Sequence, residues 1–189
     1  MTHLSPLEDT DLPVRTLIGE LADQLGHGAF TAVCVDLMRG ARREDHLDAL
    51  PWLTGHDWSV GEPVRDQETW HDYWLRTWGA RGLLHVWDDS TGAATDAVLA
   101  GLGDEHWRPA EMCLKVVAAH DVAGAGDGAA ALADHDLPRV RAAAMRALAV
   151  AGDTEHVEVV HGLLDDPDPA VRRTAARSLE RITQRLDLA

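Results

Sequence analysis

Asp134-His135-Asp136-Leu137-Pro138-Arg139-Val140-Arg141-Ala142-Ala143-Ala144-Met145-Arg146-Ala147-Leu148 recurs, 31 residues on, as Asp165-Asp166-Pro167-Asp168-Pro169-Ala170-Val171-Arg172-Arg173-Thr174-Ala175-Ala176-Arg177-Ser178-Leu179. One step back by the same offset lies a degraded copy, Asp104-Glu105-His106-Trp107-Arg108-Pro109-Ala110-Glu111-Met112-Cys113-Leu114-Lys115-Val116-Val117. A period of this length is the mark of stacked helix pairs, in which each unit buries its apolar face only against its neighbours. Val140, Ala144 and Leu148 fall on one narrow face at about 100° per residue, and so do Val171, Ala175 and Leu179. Pro138 and Pro169 stand where a helix accepts proline, at its first position.

Working outward, helical spacing continues in both directions, and no alternating apolar-polar strand pattern interrupts it. Ser5-Pro6-Leu7-Glu8 has the form of a capping box. Val14, Leu17, Ile18, Leu21 and Leu25 define a first helix ending at Gly26. Phe30, Val33, Cys34, Leu37 and Met38 define a second, stopped by Gly40. A third helix is expected from about Glu44 to Thr54, a loop from Gly55 to Gln67, and a tryptophan-bearing helix from Glu68 to Trp87. In the repeats, first helices are expected near 93–102, 125–133 and 154–164, and second helices near 108–119, 138–151 and 169–186. The expected organisation is an N-terminal helical subdomain over 1–67 and a repeat domain over 68–189. Gly124, Gly126 and Gly128 open a helix without the Lys-Ser/Thr of a phosphate loop, so they point to a loosely packed first helix in the middle repeat.

The pattern Asp-x-x-x-Pro-x-Val-Arg-x-x-Ala-x-x-x-Leu resembles the HEAT repeat in the short form found in many bacterial proteins, over residues 93–186. The resemblance implies an all-α, right-handed α-α superhelix. It also implies that Arg141 and Arg172 tie neighbouring repeats to a turn aspartate, with Asp134 and Asp165 as mates. Proteins of this kind are mostly binding scaffolds. Some relatives are enzymes: chromophore lyases of light-harvesting antennae, and DNA glycosylases that remove alkylated bases.

Composition narrows the partner. The net charge is −15, and such a field repels phosphate backbones at long range, which disfavours free nucleic acid. No apolar run is long enough to span a bilayer, and the acidic stretch from Met1 to Pro13 lacks the apolar core of a signal peptide, so a cytoplasmic setting is expected. Cys34 and Cys113 are isolated and read as reduced, buried packing residues. The 11 histidines form no HExxH and no paired i, i+4 motif, so neither a metal nor a cofactor is called for. His161 aligns with Leu99 and Ala130 and reads as a semi-buried histidine.

Within this acidic chain one helix face is basic. Lys115, Arg146 and Arg177 are equivalent by the repeat offset, as are Arg108 and Arg139, and both positions lie opposite the Val-Ala-Leu face. Arg173, Arg177, Arg181 and Arg185 add a stripe at i, i+4, i+8 and i+12 on the last helix. The resemblance implies that this side of the second helices lines a concave surface. Tryptophan accounts for 7 residues, all between Trp52 and Trp107; Trp70, Trp74 and Trp78 share helical spacing and read mainly as core. Trp58, in the loop, and Trp107, at a helix start, are expected to be accessible. The expected function is therefore an interaction module for a protein or acidic peptide. Its charged contacts are Arg108, Lys115, Arg139, Arg146, Arg173 and Arg177, and its apolar anchors Trp107 and Trp58. The rival is a lyase-like or glycosylase-like enzyme using the same groove, which requires a closed pocket holding a tryptophan and a carboxylate such as Asp72 or Glu111.

Overall fold

The computed structural model describes residues 4, 12–56, 58, 61–62, 65 and 70–188, and among these every regular element is helical. The expected capping box at Ser5 to Glu8 lies outside the described residues. The chain divides into two compact units, residues 1–97 and 98–189; the boundary expected after residue 67 differs from this division. No helix among the described residues is long and apolar enough to cross a membrane.

In the first unit α1 (Val14–Leu25) ends at Gly26, whose φ of 81° lies in the left-handed region that only glycine enters freely. Chain direction reverses there into α2 (His27–Met38). The third helix is much shorter than expected: an isolated 3-10 turn at Arg43–Asp45 precedes α3 (Leu50–Thr54). Pro51 explains the difference. Lacking an N–H, it cannot carry on a helix arriving from Asp45, and it stands in the first turn of α3 instead. The tryptophan-bearing helix α4 (Tyr73–His85) also begins later than expected and packs along α2. Two glycines permit that approach. A Cβ at Gly79 would lie 2.5 Å from the Cys34 carbonyl oxygen, and one at Gly82 would overlap Cys34 Sγ. Leu17, Leu21, Phe30, Cys34, Leu53 and Leu83 fill the core.

Trp58 belongs to this core, which corrects the expectation that it is accessible. It is 7 % exposed. Its indole Nε1 donates to Thr54 Oγ1 at 3.0 Å, and its carbonyl receives two bonds from Arg65. Its ring centroid is 5.7 Å from both Trp70 and Trp78, in the edge-on and tilted arrangements aromatic quadrupoles favour. Trp70 precedes α4, so the stripe on the helix itself is Trp74 and Trp78.

The second unit holds the repeats apart from the first half of α5, residues 93–97, which the division assigns to the first unit. Their second helices are α6 (Trp107–His120), α8 (Pro138–Ala151) and α10 (Pro169–Arg185), each within about a residue of expectation, with α8 packed between the other two. Val140, Ala144, Leu148, Val171 and Ala175 are fully buried; Leu179 is half-buried. The first helices are short. The first pair opens with α5 (Ala93–Leu102). Next, α7 (Gly126–Ala131) runs into a 3-10 turn at Leu132–Asp134, and α9 (Val157–Gly162) lies between 3-10 turns at Thr154–His156 and Leu163–Asp165. The two later first helices hold only 6 α-helical residues each, in keeping with a period shorter than the ~40–47 residues of long repeats.

Two further expectations are overturned here. Gly126 and Gly128 are sites of close approach, not of loose packing: a Cβ would lie 2.6 Å from His156 Cε1 in one case and 2.8 Å from Leu102 Cδ1 in the other. His161 is exposed, because the inward position of α9 is Val160, which matches Ala129 and Val98 in the earlier pairs. Among the described residues the buried histidine is His156. Its Nδ1 accepts from the Asp153 amide at 2.8 Å, which leaves Nε2 to donate to Asp127 Oδ1 at 3.1 Å across to the preceding pair. The capping-box spacing of Asp153 and His156 was the signal for it.

Candidate functional site

The turns before the second helices repeat one hydrogen bond. Asp104, His135 and Asp166 are equivalent positions, and each side chain accepts the backbone N–H two residues on, at 2.8, 2.9 and 2.8 Å. Arg141 does join two repeats, but its mate is Asp166 rather than Asp134. Arg141 Nε and Nη2 grip the two carboxylate oxygens at 2.6 and 2.8 Å, while Nη1 donates to the carbonyls of His135 and Asp136. This bidentate bond holds the Asp166 carboxyl below the usual carboxylate range. Arg172 uses Nη1 in the same way on the Asp166 and Pro167 carbonyls, not on Asp165. The reason is local: the 3-10 turn ending at Asp165 leaves that side chain exposed and turns Asp166 inward.

At the earlier junction Ala110 stands where Arg141 does, and a different tie takes over. Glu111, buried on α6, accepts from Arg139 Nε at 3.1 Å and lies 2.9 Å from Arg139 Nη2 and 3.2 Å from Lys115 Nζ. Trp107, half-buried, is flanked by the Arg108 and Arg139 guanidinium groups, 4.4 and 4.9 Å from its ring centroid, within cation–π range. His106 caps the helix beneath it, accepting from the Arg108 amide through Nδ1.

Three adjoining depressions run over the exposed side of α6, α8 and α10, and Arg146 borders all of them. One of about 500 Å³ lies beside Glu111, Arg139 and Asp168. One of about 260 Å³ is lined by Leu114, Ala118, Ala119 and Ala143 along with Lys115. The third, about 290 Å³, is bordered by Arg146 from α8 and by Arg177, Ser178 and Arg181 from α10, over Ala118 and Ala149. The structure thus places Lys115, Arg139, Arg146 and Arg177 along one groove, with Trp107 held against Arg139. Arg173 is exposed and lines none of the three depressions, and Trp58 belongs to the other unit. Arg181 joins the groove through its place on the arginine stripe. Arg185 does not; its guanidinium donates to the Gly152 carbonyl.

These cations are not equivalent. Lys115 and Arg139 share the single carboxylate of Glu111, which offsets one of their two positive charges. Arg146, Arg177 and Arg181 have neither an ion-pair nor a hydrogen-bond partner among the described residues. Glu111 in turn has both oxygens occupied, and Asp72 is held by Arg43 at 2.7 Å in the first unit. No group of three or more His, Cys, Asp or Glu side chains among the described residues could hold a metal ion.

Residues 127–189 match the family model for HEAT repeats. Comparison with curated proteins and with solved structures found no significant match.

Proposed function

We propose that the groove across α6, α8 and α10 is a binding surface for an acidic segment of a partner protein; residues 127–189 match the model of HEAT repeats, units that generally mediate protein interactions. The carrying observation is the set of three uncompensated arginines, Arg146, Arg177 and Arg181, converging on one depression in a chain of net charge −15. Guanidinium groups left without internal partners on a concave patch are suited to planar, bidentate recognition of carboxylates. Arg139 and Lys115 extend the positive rim, and Trp107, backed by Arg139, offers an aromatic edge of the type enriched at interface anchors. The open groove and the engagement of both Glu111 oxygens by Arg139 and Lys115 support binding at this groove.

The test is affinity capture from native lysate with the wild type and an Arg146→Glu/Arg177→Glu variant, reading eluates for protein and for nucleic acid. Both substitutions are at exposed positions, where stability changes stay within about 0.5 kcal/mol, so the melting temperature should hold. A protein retained by the wild type and lost by the variant is expected. Identical eluates, or loss of nucleic acid instead of protein, refute the reading.

A further inference from the structure

The third depression has a composition that specifies more than an acidic partner. Arg146 approaches from α8, and Arg177 and Arg181 lie one turn apart on α10. Between them Ser178 is only 4 % exposed and has no hydrogen-bond partner among the described residues. No acidic side chain borders this depression. We infer that it receives a phosphorylated side chain of the partner segment; this rests on the reading of the groove as a partner-binding surface.

A single carboxylate would neutralise one of the three guanidinium groups and leave two uncompensated at the same depression. A phosphate monoester carries roughly −1.5 to −2 charge at neutral pH and three acceptor oxygens, enough to give each arginine an oxygen edge. The Ser178 hydroxyl supplies a further donor. The neighbouring depression of about 260 Å³ shares Arg146 and Ala118 with this one and is otherwise floored by Leu114, Ala119 and Ala143. It fits a short aliphatic side chain. The combined site therefore selects a phosphate with an apolar neighbour a residue or two away in sequence, which describes a peptide and not a free ion. A long polyanion is disfavoured by the net charge of the chain.

The test is nuclear magnetic resonance of the full chain, following arginine Nε–Hε signals assigned with the single variants Arg146→Gln, Arg177→Gln and Arg181→Gln. Four probes are titrated: blocked leucine–phosphoserine–leucine, the same tripeptide with serine, the same with glutamate, and inorganic phosphate. The phosphopeptide should shift all three signals and saturate at a concentration at least ten-fold below the glutamate peptide and inorganic phosphate. Arg177→Gln should weaken it at least ten-fold, while Arg173→Gln, on the same helix but away from the depression, should change it less than two-fold. Equal binding of the glutamate peptide would overturn the phosphate assignment. Equal binding of inorganic phosphate would make this a free-anion site, and silence with every probe would remove the site. The two readings fail separately: a partner captured equally from phosphatase-treated and untreated lysate, yet lost with Arg146→Glu/Arg177→Glu, keeps the binding surface and removes the phosphate.

Discussion

Replacing Arg141 with alanine tests the central claim about how the repeats are joined, and Arg172→Ala supplies an internal control at the equivalent position. The Arg141 side chain is 12 % exposed and that of Asp166 4 %. Exposed pairs contribute up to about 1 kcal/mol, whereas removing one member of a buried pair costs about 3–5 kcal/mol because the other charge is stranded. Asp166 keeps the Asp168 amide and the nearby charge of Arg172, so the loss should be about 2–3 kcal/mol. Arg172 donates only to two carbonyls, and its removal should cost below about 1 kcal/mol. For a unit of this size the first change lowers the melting temperature by roughly 10–20 °C.

The pH dependence follows from the depressed carboxyl. A folded value below the unfolded one gives stability that is fully present above the unfolded value, about 3.9, and lost as pH falls through the folded value. The gap between wild type and Arg141→Ala should therefore be constant from neutral pH down to about 5 and close below about 4. Urea unfolding followed by circular dichroism at pH 7 and pH 3, with amide exchange of α9 and α10 to assign the transition, measures both effects. Equal losses from Arg141→Ala and Arg172→Ala, or a gap that persists undiminished in acid, would refute the clasp.

Gly82→Ala should destabilise the first unit by about 1–3 kcal/mol through overpacking, since the new methyl group overlaps Cys34 Sγ and crowds Leu53 and Phe30 at 3.2 Å. Gly19→Ala, whose Cβ meets nothing within 4 Å, should instead stabilise α1 by about 0.5–1 kcal/mol, and chemical denaturation of both variants separates crowding from helix propensity. Complete burial pushes both the Cys34 and Cys113 thiols well above the usual thiol range. Neither should react with a thiol-directed chromogenic disulfide in the native chain, and both should react in denaturant; fast native reaction of either contradicts the packing.

The repeat legible in the sequence carried the second helices to within about a residue, because proline sets their starts and the Val-Ala-Leu spacing sets their buried face. The first helices also fell within about a residue of their expected bounds, but their division into α-helix and 3-10 turn was not legible. The same turns hid the mate of Arg141. Asp165 and Asp166 are adjacent in sequence, and only the winding of Leu163–Asp165 decides which carboxylate faces the arginine. Trp58 escaped because its burial depends on Trp70 and Trp78, distant partners that no local pattern around a glycine-bearing loop announces. The basic face was legible as charge. The distinction between Arg139, held by Glu111, and the arginines left free was not, since it depends on side chains meeting across α6 and α8.

The two junctions of the repeat unit are fastened on different sides, and this gives the stack a mechanical polarity. α6 and α8 are held across the groove by Glu111 and Arg139, whereas α8 and α10 are held at the turns by Arg141 and Asp166. Flexing that widens the groove loads the first fastening and spares the second; flexing that parts the turns does the reverse. Arg139 is 58 % exposed and the Arg141 pair is shielded, so ions in solution weaken only the first. Raising ionic strength should soften the stack at its α6–α8 hinge while the α8–α10 hinge stays stiff.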